Sequence, residues 1–198
     1  MHLRRLIGTG LCLALAGPAI AFGQQGTASG QKTFTPTPTS PADSLNAVLS
    51  VMESQVVGAA EAMPADKYDF APSTTIGLYT GVRTFAQQVK HLAETNYEFF
   101  HGWGVPGAVD QKTIEALKTK DDIVAALKAS YVYAHAAIST ITPDNAFLSL
   151  PGPAQWKPTR VSMAAFCAAH SMDHYGQMVE YLRMNGIVPP ASRQSGSM

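Results

Sequence analysis

Residues 159–186 read TRVSMAAFCAAHSMDHYGQMVEYLRMNG. From about Thr159 to Asn185 this stretch reads as one long helix. Gly186 supplies a left-handed stop, and Pro189-Pro190 bar continuation. Within it lies His170-Ser171-Met172-Asp173-His174. Side chains four residues apart sit one above the other on a helix. Two imidazoles so placed can bind one metal ion about 2 Å from each ring nitrogen. Alone the pair is a weak signal, since two ordinary histidines on a helix look the same. It is not a zincin protease pair, because Ser171 stands where the catalytic glutamate belongs. Asp173 points roughly 100° away from His174 around the helix, so it is not expected as a ligand.

Three further segments carry helical spacing. Ser40 caps the first, Pro41 suits its first position, and Asp43 complements its positive end. Leu45, Val48, Leu49, Met52, Val56 and Ala59 recur at helical spacing until Pro64. Lys67-Tyr68-Asp69-Phe70-Ala71-Pro72 reads as an extended connection held by two aromatics. The second helix is expected from about Thr80 to Phe100, with Val82, Phe85, Val89, Leu92, Ala93 and Asn96 on one face. Gly102, Gly104 and Pro106 close it. Residues 103–118 read as loop with a short turn of helix. Thr119 and Asp122 resemble a capping box with a shorter acid at the start of the third helix. Its face is Ile123, Ala126, Leu127, Ser130, Tyr131, Ala134 and Ile138. Residues 142–158, rich in proline, form the last loop. Almost no stretch alternates strictly between apolar and polar, so the fold class is all-α, and four amphipathic helices make a four-helix bundle the natural packing.

A bundle points facing side chains into a shared interior, which is where bundles build metal sites. His91, in the second helix amid Val89, Leu92 and Ala93, is therefore the candidate third ligand, although a satisfied core histidine is the commoner outcome for such a residue. Three histidines leave a position open for water or substrate, unlike a closed structural site. His101 at the second helix's end is a poorer candidate. For His135 an interhelical hydrogen bond is the stronger expectation. Gln177, Gln87, Gln88 and Glu94 lie three or four residues from a candidate ligand, where an amide or carboxylate can fix an imidazole tautomer. The plainer reading makes them solvated polar residues. Cys167 stands three residues before His170. A soft fourth ligand or a reactive thiol is one reading, and a small buried core residue is the favoured one.

The ends of the chain fall outside this domain. Arg4 and Arg5 precede the apolar run Leu6–Ala16, and Ala19-Ile20-Ala21 offers small residues to a signal peptidase. Residues 1–21 are thus expected to be a signal peptide, with cleavage after Gly23 as the close alternative and a retained anchor as the other. The run is shorter than the roughly 20 residues of a permanent span. Thr9-Gly10-Leu11 before Cys12 does not suit lipidation. Residues 22–40, rich in Gly, Gln, Thr, Ser and Pro, read as a flexible linker. Residues 41–190 form the domain and 191–198 a loose tail. The chain carries 14 basic and 14 acidic side chains, and loss of Arg4 and Arg5 leaves 12 against 14, a formal −2. No basic patch suits nucleic acid, and no later segment is apolar for long enough to insert stably in a membrane. With Cys12 removed, Cys167 is alone and cannot form an internal disulfide. The expected location is exported, in a periplasm-like compartment.

At this point the sequence resembles the DinB-like family, also called the DinB/YfiT-like metalloenzymes. The resemblance rests on His170 and His174, continuing as Tyr175-Gly176-Gln177, then on Tyr181-Leu182-Arg183-Met184-Asn185-Gly186-Ile187 and Pro189-Pro190. Upstream it rests on Arg83-Thr84-Phe85, on Val89–Leu92 with His91, and on the Lys67–Pro72 lead-in. It covers about residues 42–190. It implies an up-down-down-up four-helix bundle, dimeric in many members, whose three histidines (here His91, His170 and His174) hold zinc, nickel or a similar divalent ion. It further implies a metal-dependent hydrolase or thiol-dependent transferase acting on a small molecule, with no catalytic side chain assigned. An exported chain would meet few cytosolic thiols, which weighs against the transferase. The competing expectations are a non-catalytic periplasmic metal-binding bundle and a purely structural bundle with core histidines.

Overall fold

The computed structural model describes residues 39–152 and 157–193. The segment expected to be a signal peptide and nearly all of the expected linker lie outside these residues, as does the end of the expected tail. Five α-helices and two short 3-10 turns are present among the described residues, with a single isolated β-bridge between Ser149 and Thr159. The helices are α1 (Pro41–Ala62), α2 (Phe85–Phe99), α3 (Gln111–Glu115), α4 (Lys120–Ile138) and α5 (Arg160–Met184). The chain is all-α, and the four long helices α1, α2, α4 and α5 form the bundle. No described helix is long and apolar enough to cross a membrane.

Local chemistry explains where these helices begin and end. Ser40, Thr84, Asp110, Thr119 and Thr159 each accept a backbone N–H of the first helical turn through a side-chain oxygen. Thr84 with Gln87, and Thr159 with Ser162, close reciprocal capping boxes. Thr119 accepts from the Asp122 N–H at 3.1 Å, but the Asp122 carboxylate takes the Thr119 hydroxyl at 2.6 Å and leaves the backbone alone. Gly186, at φ +73°, ends α5 in the left-handed region that favours glycine.

The second helix starts later than the spacing suggests. Gly81 has φ +80°, which breaks the helix that Thr80 and Val82 were expected to open. Val82 is accordingly exposed. The lead-in 67–72 supplies what α2 needs instead. Phe85 N–H donates to the Phe70 carbonyl and Ala86 N–H to the Tyr68 carbonyl, both at 2.8 Å. These are two of the four donors a helix start leaves without intrahelical partners. Tyr68 also packs edge-on against Phe85 at 5.3 Å and donates its hydroxyl to the Ala60 carbonyl. The N-terminus of α2 is thus pinned to α1.

Interhelical contacts fix the directions. Asn46 near the start of α1 meets Ser139 just past α4, and Lys120 at the start of α4 reaches the Glu61 carbonyl near the end of α1. These two helices are antiparallel. Asn96 and Phe100 pair with Ser130 and Tyr133, so α2 and α4 are parallel. Gln88 and Asn96 pair with Gln177 and Cys167, so α2 and α5 are antiparallel. The order is up-down-down-up. Leu49, Phe85, Leu92, Leu127, Tyr131, Met178 and Leu182 lie at the centre with essentially no exposure. Val48, expected on the buried face of α1, is 47% exposed, because α1 turns Leu49 and Val56 inward and leaves Val48 at the margin. Pro190–Ser192 form a 3-10 turn whose proline packs on Gly58 of α1, while Ala191, Ser192 and Arg193 are exposed.

Candidate metal centre

His91 lies two turns into the pinned α2, facing His170 and His174 on consecutive turns of the antiparallel α5. Their ring centroids are 5.2 and 4.8 Å from that of His91 and 4.6 Å from each other. One ring nitrogen from each lies within 4.8 Å of the others, and this is the grouping among the described residues that can hold a metal ion. The Nε2 atoms of His170 and His174 stand 3.2 Å apart. Two nitrogens about 2.1 Å from a common ion would be separated by such a distance. His174 is buried, and His91 and His170 are half-buried, so the cluster opens to one side.

Electrostatics keep the donor set neutral. Burial, then the Arg83 charge and His170, lowers the His91 pKa to about 4. Burial, then His170 and His91, lowers that of His174 to about 4. Burial also lowers His170, against the opposing pull of Asp173. Neutral imidazole is the form that binds a metal. A consequence can be measured without any metal. Between pH 6.5 and 4 the unfolded chain takes up protons that the folded chain refuses, so these histidines remove stability as pH falls through that window. Above it they contribute nothing. The urea midpoint of metal-free protein should fall from pH 7 to pH 5, and fall less in His91→Gln. An equal fall in both proteins would contradict the assignment.

The donor set fits one transition-metal ion, which imidazole nitrogens suit. Among the described residues no fourth protein ligand joins them. Cys167 is fully buried, gives its thiol to Asn96 Oδ1 at 3.3 Å, and is pushed up to about 12 by burial. It is a core group, as favoured from sequence. Asp173 points outward. His135 bridges Asn46 at 2.7 Å and Glu53 at 3.0 Å, tying α4 to α1 away from the cluster. His101 is exposed.

Gln88 is the residue whose role the sequence understated. It is 1% exposed, and its Oε1 lies 2.5 Å from His174 Nδ1. Gln177 accepts from the Gln88 amide at 2.8 Å. Gln87, by contrast, is spent on the α2 cap. On the other side of the cluster, Phe99 meets the His170 ring edge-on at 5.2 Å. A cleft of about 960 Å³ reaches His91 from outside, with Arg83, Lys90, Glu94, Glu98 and Glu115 among its walls. Lys90 is held there by the Glu115 and Leu117 carbonyls. Burial, then the neighbouring Glu115, raises the Glu94 carboxyl above its usual range.

A family model described as the DinB superfamily matches residues 30–178. The chain belongs to the DinB superfamily. A solved DinB-like protein from Bacillus subtilis is 16% identical to this DinB-superfamily chain, with a TM-score of 0.56 over 76% of this chain and 99% of that one. At that identity the likeness speaks for the fold alone. No curated protein matches the sequence. In this DinB chain the family's helical fold and a close three-histidine group therefore occur together.

Proposed function

We propose that this DinB-superfamily chain holds one divalent ion, zinc or nickel, through His91, His170 and His174, and uses it on a small molecule in metal-dependent hydrolysis or thiol-dependent transfer. The observation that carries the reading is three neutral imidazoles converging from two helices, with one side open and no fourth protein ligand among the described residues. A bound ion would supply Lewis acidity there, polarising a substrate or lowering the pKa of a water or thiol. The chain's own residues do the rest. His174 is held by Gln88, Phe99 shields the His170 side, and the cleft beside His91 admits the substrate. That cleft is lined by charges of both signs, which favours a polar small molecule over a greasy one. Export to a periplasm-like compartment belongs to the same proposal and favours hydrolysis over use of a cytosolic thiol. Nucleic acid is not part of it, and self-association as a dimer is.

Cobalt(II)-loaded protein tests the open position. Added azide should shift its visible absorption, with the shift lost in His91→Ala. A spectrum unmoved by saturating azide would mean a closed ion, and the catalytic reading would fall to simple metal binding.

A further inference from the structure

Behind His174 three polar side chains run in line from the core to the surface. His174 Nδ1 meets Gln88 Oε1 at 2.5 Å, Gln88 Nε2 donates to Gln177 Oε1 at 2.8 Å, and Gln177 Nε2 donates to Asp173 Oδ2 at 3.5 Å. Gln88 is buried, Gln177 half-buried and Asp173 exposed. A glutamine amide has a donor end and an acceptor end, and its orientation follows from the network around it. With both amides reversed, Gln88 would present NH₂ to Nδ1. His174 would then carry its proton on Nε2, aimed at His170.

The carboxylate at the outer end opposes that reversal. A carboxylate accepts and does not donate, so Asp173 draws the Gln177 NH₂ outward and turns its Oε1 inward. With Gln177 Oε1 inward, Gln88 turns its NH₂ to it and leaves its own Oε1 facing the imidazole. This constraint does not depend on a metal being present.

We propose that Asp173, Gln177 and Gln88 form a positioning relay that locks His174 as its Nδ1–H tautomer, so that its Nε2 lone pair faces His170 and the ion. The purpose of the relay rests on the metal reading above, whereas the tautomer is a property of the metal-free chain. A metal-bound histidine ordinarily gives its other N–H to a neighbouring acceptor, and removing that acceptor weakens metal binding about 10–100-fold. Here the acceptor is a buried amide whose orientation is set two residues away, at the surface.

Two-bond nitrogen–proton correlation spectra of metal-free, ¹⁵N-labelled protein read the tautomer directly, and zinc titration reads the consequence. The parent should show His174 protonated on Nδ1. Gln88→Glu, which keeps an acceptor there, should retain that state. Gln88→Leu should lose it and bind zinc about 10–100-fold more weakly. Asp173→Asn replaces an acceptor with a group that can also donate. It lies at the exposed end, where folding is not at stake, and should give mixed tautomers with a smaller weakening in the same direction. If both Gln88→Leu and Asp173→Asn fold yet keep the parent's tautomer and zinc affinity, the relay is overturned. Should Gln88→Leu fail to fold, Asp173→Asn decides by itself. A parent that binds no zinc, but whose Nδ1–H state is lost in these variants, would remove the metal reading and leave the relay standing.

Discussion

Replacing His170 with alanine is expected to weaken zinc binding by more than about 100-fold, because losing a ligand should cost more than losing an outer hydrogen-bond partner of one. His170 is the side chain best suited to this test. It is half-buried, and its removal costs one hydrogen bond, that of His174 Nε2, at the open side of the cluster. The fold should survive that single loss, with a melting temperature somewhat below that of the metal-free parent. The parent alone should gain from metal. At zinc a thousandfold above Kd, binding adds about 4 kcal/mol, or roughly 10 °C in a domain of this size. Scanning calorimetry with and without zinc measures both numbers. A variant stabilised by zinc as much as its parent would exclude His170 from the site.

Phe85→Ala should cost about 3–5 kcal/mol, the usual range for deleting a buried aromatic. Phe85 has no exposure and packs edge-on against Tyr68. Its backbone N–H bond to Phe70 survives the change, so the loss reports packing and not capping. A domain has about 5–15 kcal/mol to lose, and the variant should unfold at clearly lower urea. Because this contact seats the start of α2, His91 two turns on should be less well held, and zinc affinity should drop with stability. A loss under about 1 kcal/mol would mean that the pinning of α2 by the 67–72 lead-in is not what orders the site.

Much of this was legible because its causes are local. A cap at Ser40 or Thr119, a proline at position 41, and a glycine where φ must be positive act within a few residues of themselves. The His170–His174 spacing is also local. His91 needed a further step, from an apolar helical face to a shared bundle interior. The start of α2 was misplaced because Thr80 and Val82 continue the spacing that Phe85 and Val89 set. The Thr84–Gln87 capping box, present in the sequence, was the better signal. Gln88 shows what sequence leaves open. Whether a glutamine is solvated or buried depends on how α2 is rotated against α5, and no nearby residue encodes that. The polar interior of Asn96, Ser130 and Cys167, and of Tyr131 with Ser171, is hidden for the same reason, since each partner comes from another helix. Five residues of α3 are too few for periodicity to register.

Elemental mass spectrometry on the untagged chain, purified from its native compartment without added metal, tests the central claim most directly. The account predicts about one divalent ion per chain, absent from His91→Ala and His170→Ala prepared in the same way. No ion in the parent, even after incubation with zinc or nickel and removal of excess, would contradict it and leave the three histidines as core groups of the bundle.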